Sequence, residues 1–315
     1  MMFNRKLLTI TLGFLCFSII QVSCASTKLR CAGCNISEAY SKPLAQKLVV
    51  AVIQGKTGKV AELVQEGANP NYLEPEKIPM LIWALCANNI EGFETLLKVG
   101  ADPNLSGTGH GFGNGKLGGL QGAQGNDFSQ IYEGWSAMRF ASQVKDIQFL
   151  KLAIQYGGDV NAPKGQRSPK EPLIAAAEYG LFEHVKLLVS AGANINIHSE
   201  IESAPESAIS GMGRFDIAIW FLEHGYNYNL QRLAVRAENR GVNTQQSNKE
   251  KLIDMLIAKG IKFPVTETYR NLHKYREVPP SALMDVVYGR KDCRDFPLKP
   301  GRWNDKSCWG APIPD

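Results

Sequence analysis

One short phrase recurs along this chain and limits what it can fold into. It reads GANPN at 67–71, GADPN at 100–104, GGDVN at 157–161, GANIN at 192–196 and GYNYN at 225–229. The leading glycines are 33, 57, 35 and 33 residues apart, and a weaker sixth copy ends at Gly260, 35 residues after Gly225. The spacing of 57 is one period of 33 plus a 24-residue excess. A period near 33 marks one supersecondary unit used repeatedly. A unit that small cannot bury its own apolar face, so neighbours must stack to make a core.

The fourth copy shows the content of a unit: KEPLIAAAEYGLFEHVKLLVSAGANIN. Pro172 suits a first helical turn, where its missing N–H is not needed. Leu173, Ala176 and Ala177 share one helical face. Gly180 ends that helix in a tight turn. Val185, Leu188 and Val189 then mark the apolar stripe of a second helix. Gly192 suits a left-handed cap, and Asn194 and Asn196 suit the turns after it, because their side chains bond nearby backbone. The unit reads as helix, turn, helix and a projecting finger.

The pattern resembles the ankyrin repeat, whose helix signature is Thr-Pro-Leu-His-x-Ala, over about residues 46–263. The fifth copy has Ala204-Pro205 followed by Glu206-Ser207. The second has Met80 at the proline position and Trp83 near the alanines, and the first has Lys47-Leu48. Gly55 and Gly180 share the interhelix turn. The resemblance implies an all-α solenoid of about six helix pairs that acts as a binding surface, with no catalytic set and no cofactor of its own.

The excess residues form an insertion over 105–130, between the second and third repeats. It has nine glycines from Gly107 to Gly125, a composition that keeps a segment flexible. It sits at a finger, where insertions often carry binding, and it also suits a plain spacer. Phe112, Phe128 and Tyr132 favour binding. A G-x-G-x-x-G at Gly113, Gly115 and Gly118 lacks the strand, helix and later acidic residue of a dinucleotide site. GNGK and the GKT at 55–57 both lack the first glycine of a phosphate loop.

Residues 1–24 begin with Arg5 and Lys6, followed by an uncharged apolar run from Leu7 to Ile20. This is a signal-peptide layout, too short for a membrane span of about 20 residues. Two cleavage readings fit VSCAS. One cuts after Ala25. The other makes Cys24 the lipid-carrying first residue, because Val22-Ser23-Cys24 resembles a lipoprotein box with Gln21 in place of Leu. The second implies a periplasmic protein tethered to the outer membrane. A linker over 25–45 holds Cys31-x-x-Cys34, expected to close as a small local disulfide. Cys86 is expected as a packed thiol. Cys293 and Cys308 are expected to bond across the loop of a C-terminal extension, 264–315, which otherwise has little regular pattern.

Charge names no partner. The chain has 35 basic and 30 acidic residues, too balanced to argue for nucleic acid. The histidines His110, His184, His198, His224 and His273 form no metal or catalytic motif. Glu202 and Glu206 lie near Ser203 and Ser207, and as isolated carboxylates they are expected in solvent.

The chain therefore looks like an exported ankyrin module with one specific protein partner. Its signal segment, repeats and cysteine-bearing tail resemble the bacterial lipase-immunity lipoproteins linked to type VI secretion, which implies stoichiometric neutralisation of a toxin or effector. Aromatic anchors are expected at Tyr72, Trp83, Phe112, Phe128, Tyr132, Trp135 and Phe140; Trp83 and Phe140 also suit packing between repeats. A second reading is a secreted effector binding a host protein. A third places an enzyme site in the tail, among Arg290, Lys291, Asp292, Arg294, Asp295 and Trp303.

Overall fold

The glycine register is realised in the backbone. A computed structural model describes residues 29, 31, 34–75, 77–107, 134, 136–162, 171–241, 245–303, 307–308 and 311–312. After a short lead helix α1 (Ile36–Ala39) come α2 (Pro43–Ile53) and α3 (Thr57–Gln65), α4 (Met80–Cys86) and α5 (Ile90–Lys98), and α6 (Ala137–Ala141) and α7 (Ile147–Gln155). They are followed by α8 (Pro172–Glu178) and α9 (Phe182–Ser190), α10 (Ala204–Met212) and α11 (Phe215–Glu223), and α12 (Leu230–Asn239) and α13 (Gln246–Ala258). Six helix pairs in chain order thus stand among the described residues. The chain divides into two compact units after Phe140, each described by itself.

A left-handed turn follows every second helix, and four of the pairs have another between their helices. Between helices, Gly55, Gly180 and Gly213 have φ of 66°, 68° and 66°. Asn88 takes the same place at φ 50°, because Asn tolerates the left-handed region better than other side chains. After the second helices, Gly67, Gly100, Gly157, Gly192, Gly225 and Gly260 all lie between φ 90° and 99°.

The recurring asparagines bond within and between fingers. The first Asn or Asp of the phrase accepts from the backbone two residues on: Asn71 N to Asn69 Oδ1 at 2.9 Å, Asn104 N to Asp102 at 2.8 Å, Asn161 N to Asp159 at 2.8 Å and Asn196 N to Asn194 at 3.0 Å. The last Asn reaches the next finger. Asn71 Nδ2 donates to Gly100 O at 2.8 Å, while its Oδ1 accepts from Asp102 N at 2.7 Å. Asn161 repeats this with Gly192 O and Asn194 N, at 3.0 and 2.8 Å. The phrase recurs because its Asn and Asp residues order their own turn in four copies and reach the next finger in three.

Packing between pairs is close enough to exclude a methyl group. Gly92 of α5 lies against α2, where a Cβ would stand 2.1 Å from Val52 O. Alanine would gain about 1 kcal/mol of helix propensity. Overpacking typically costs 1–3 kcal/mol, and a helix carbonyl cannot swing aside like a side chain. Gly92→Ala is therefore expected to destabilise the protein by about 1–2 kcal/mol, net. Gly58→Ala is the control: that site in α3 is open space, and the propensity gain should show as a small stabilisation. Urea unfolding of both variants checks this. An unchanged midpoint for Gly92→Ala would contradict the packing.

The first helices α4, α8 and α10 are deeply placed. Every residue of α4 is buried, as are Pro172–Ala177 of α8 and Ala204–Ile209 of α10. They supply core rather than surface.

The C-terminal extension has more structure than its composition suggests. It contains α14 (Glu267–Arg270), α15 (Leu283–Tyr288), three 3-10 turns and the antiparallel pair β1 (Arg302–Trp303) and β2 (Ala311–Pro312). Leu272, Val278, Ala282, Val286 and Cys293 form its own small core. Cys293 and Cys308 are disulfide-bonded, as the spacing predicts. The buried Arg276 donates to the carbonyls of Cys308, Phe296 and Ser307, at 2.5, 2.7 and 3.0 Å. The buried carboxylate of Glu238 in α12 accepts from Val265 N at 2.6 Å, Thr266 N at 2.8 Å and the Thr266 hydroxyl, anchoring the start of the extension.

Beside that anchor, α13 buries Lys249, whose Nζ donates to Glu238 O at 3.2 Å and Arg240 O at 2.9 Å. Burial pulls this ammonium down to about 8. Between there and the ordinary lysine value the unfolded chain binds more protons, so stability rises with pH. The urea midpoint should increase from pH 8 to pH 9.5, and Lys249→Met should lose that increment. Equal slopes in both proteins would refute the assignment.

Candidate interaction surface

With α4, α8 and α10 buried, side chains for recognition come from the fingers and the remaining helical faces. The finger after Gly192 is the most developed among the described residues. His198 and Ser203 form an antiparallel bridge. Ser199 N donates to Glu202 O at 2.9 Å. Ser199 Oγ accepts from Ile201 N at 3.2 Å and Glu202 N at 3.1 Å. This hairpin holds Ile201 at its tip, 69% exposed. At its base the His198 ring stacks on Tyr228 of the next finger at 3.7 Å. The Asn196 side chain accepts from Asn227 N and Tyr228 N, at 3.0 and 3.3 Å. An exposed branched aliphatic residue is thus carried by two fingers bonded to each other.

A buried charge stiffens the base. Ser203 caps α10, and Glu206 completes a capping box, an arrangement that satisfies free N–H groups at a helix start. Glu206 is fully buried. It accepts from Ser203 N at 2.7 Å and Ser203 Oγ at 2.6 Å. Arg232 of α12 donates to it through Nε at 2.6 Å and Nη2 at 2.9 Å, and through Nη1 to Glu200 O at 3.4 Å. Tyr226 OH lies 2.8 Å from Ser203 Oγ. Burial is the main cause pushing this phenol up to about 12, so it stays protonated at neutral pH. The node fixes the finger. Its serine hydroxyl is engaged by Glu206 and Tyr226 rather than offered to solvent.

The family model described as ankyrin repeats (3 copies) matches residues 137–232. This segment carries ankyrin repeats. It covers the pairs α6/α7, α8/α9 and α10/α11, and ends within α12 at Arg232. Of the other three pairs, α2/α3 and α4/α5 repeat both left-handed turns and α12/α13 repeats the one after its second helix, so the all-α ankyrin fold that the resemblance implies is the fold found. A search of curated proteins gives no match to the chain.

On this ankyrin framework the predicted anchors separate. Trp83 is fully buried and Phe140 is 2% exposed. Both are core residues and cannot anchor a partner, because the short first helices bury every face. Tyr72 is half-buried at the first finger. Its hydroxyl donates to Glu74 at 2.9 Å, Ser41 donates to the same carboxylate through N and Oγ at 2.6 and 2.7 Å, and Lys42 Nζ stands 4.5 Å from the ring centroid. Phe112, Phe128, Tyr132, Trp135 and Cys24 lie outside the described residues. The base of the insertion is described. Ser106 bridges Ser136, and Gly134 N donates to Gly107 O at 3.0 Å, so the inserted segment leaves and re-enters at one paired stem.

Three other expectations are corrected. Cys31 bonds to Cys86, not to Cys34. The C-x-x-C backbone does form a tight bridge, with N–H···O bonds of 2.9 and 3.0 Å between Cys31 and Cys34. Cys31 is nevertheless buried beside α4, where Cys86 lies 5.9 Å away between Cα atoms. Cys86 is therefore a disulfide half and not a packed thiol. Glu202 and Glu206 are buried, at 7% and 0% exposure, because Arg232 of α12 and the capping Ser203 meet the latter inside the fold.

The tail charges singled out for a possible enzyme site pair among themselves and with α13. Arg290 bonds Glu250 at 2.5 Å, Lys291 stands 3.4 Å from Asp285, and Arg294 bonds Asp292 at 2.5 Å. His184 is buried, with Nε2 2.8 Å from Val144 O, and burial lowers its pKa. Among the described residues no group of three potential ligands could hold a metal ion, and no helix is long and apolar enough to cross a membrane. The feature that sequence reasoning missed is Ile201. Its signal was local: an isoleucine between two glutamates in a finger.

Proposed function

We propose that this protein is an exported ankyrin-repeat module that binds one specific protein through its finger edge, as an immunity-type protein neutralising a secreted, lipase-type effector by stoichiometric cover. The observation that carries the binding reading is Ile201, exposed on a finger whose base is fixed by Glu206 and Arg232. A rigid exposed apolar residue is the kind of group that becomes a binding anchor once buried by a partner. Export is supported by the basic-apolar-cysteine layout of residues 1–24 and by two disulfides, which persist in oxidising compartments. The reading takes Cys24 as the lipid-carrying residue of an outer-membrane-tethered periplasmic protein, and the insertion 105–130 as a further contact.

The test is affinity capture from envelope extracts of producer cells, with the protein tagged at its C-terminus. One partner should be recovered at one-to-one stoichiometry. Ile201→Asp should weaken its binding at least tenfold, and removal of 106–126 should weaken it while preserving far-UV circular dichroism. Mature protein should carry acyl chains on Cys24 by intact mass. Recovery of the chain only outside the producer, bound to a host protein, would support the effector reading instead. Unchanged binding in both variants would move the interface off the fingers.

A further inference from the structure

The first helix pair has a face that no other pair covers among the described residues. A terminal repeat normally turns a polar face outward, which keeps an array soluble. Here α2 and α3 enclose a groove of about 380 Å³ instead. Buried Ala51 and Leu63 and half-buried Val50 line its base. Lys47, Lys56 and Lys59 stand exposed around it, and no carboxylate lines it. Lys59 is already paired, with Glu62 at 2.7 Å and Glu66 at 3.7 Å. Lys47 and Lys56 form no ion pair among the described residues. The groove therefore joins an apolar floor to two uncompensated positive charges.

Its length matches one kind of ligand. Helix α2 has 11 residues, which at 1.5 Å per residue is about 16 Å, or three turns. An amphipathic helix laid along it would place residues at i, i+3, i+4 and i+7 on the floor. Acidic residues on its flank would meet Lys47 and Lys56, and complementary charge selects partners chiefly by excluding wrong ones. From this geometry we infer that the α2/α3 groove is a docking site for an acidic amphipathic helix of a partner protein, distinct from the finger edge. The inference shares with the proposed function only the premise that the chain binds proteins.

The test uses two synthetic 14-residue helical peptides with leucine at the floor positions. One has glutamate at every other position, and the other has lysine. Fluorescence anisotropy with the full chain should show the acidic peptide binding at least tenfold more tightly than the basic one. Lys47→Glu/Lys56→Glu should abolish that preference, and Val50→Asp should weaken the acidic peptide while leaving circular dichroism unchanged. Ile201→Asp should leave peptide binding unaltered, which separates this site from the fingers. Three results would overturn the inference: equal binding of the two peptides, no effect of the charge reversals, or a concentration-dependent dimer in sedimentation that Val50→Asp dissociates. The last would assign the groove to a second copy of the chain. Failure of effector capture with retained peptide preference would overturn the proposed function alone.

Discussion

Cys86→Ser is expected to destabilise the protein as much as Cys31→Ser, whereas Cys34→Ser leaves it close to the wild type. The Cys31–Cys86 bond closes a loop with a sequence separation of 55. On the loop-entropy model that restriction of the unfolded chain stabilises by about 4 kcal/mol. A bond between Cys31 and Cys34 would close a far shorter loop, with a smaller entropic contribution. The two pairings thus differ in magnitude as well as in which variant is sensitive. Urea unfolding of the oxidised protein reads the first difference, and non-reducing peptide mapping reads the second. If Cys34→Ser and Cys31→Ser lose stability together while Cys86→Ser does not, the local disulfide is the real one. The bond also gives the segment before α2 a structural role, because it fastens that segment to α4 of the second pair.

Arg232→Met is the second large expected effect. Its guanidinium is the only cationic partner Glu206 has among the described residues, and Glu206 is fully buried. Removing one partner of a buried pair leaves an uncompensated charge and costs about 3–5 kcal/mol. Arg232 is 27% exposed at its side chain, so the loss is expected near the lower figure. The companion variant separates charge from shape. Glu206→Gln in the Arg232→Met background removes the stranded charge and keeps a side chain able to complete the capping box. The double variant should therefore be more stable than Arg232→Met alone. Strictly additive losses by urea unfolding would show that Glu206 and Arg232 act independently. Because this node supports the Ile201 hairpin, Arg232→Met should also weaken partner binding without touching the tip.

The pair register, the finger turns and the Cys293–Cys308 bond were legible in the sequence because each is local. A left-handed turn is announced by the glycine that adopts it, and an Asn that caps its own turn lies two residues from its partner. Even the ladder between fingers could be anticipated once the period was known, since the period brings like residues to like places. The 15-residue separation of Cys293 and Cys308 is likewise short enough to judge from the segment between them.

Tertiary structure alone decided the rest. Cys31 has a cysteine three residues away and one 55 residues away, and only the packing of the lead segment on α4 selects the distant one. Trp83, Phe140 and Tyr72 look alike as aromatics in a repeat, but the depth of the first helices buries two and leaves the third at a finger. Glu206 reads as a surface carboxylate until α12 brings Arg232 against it. Burial and pairing depend on which distant surfaces meet. A short-range pattern of residue types carries little information about that, whereas it carries nearly all the information about a turn.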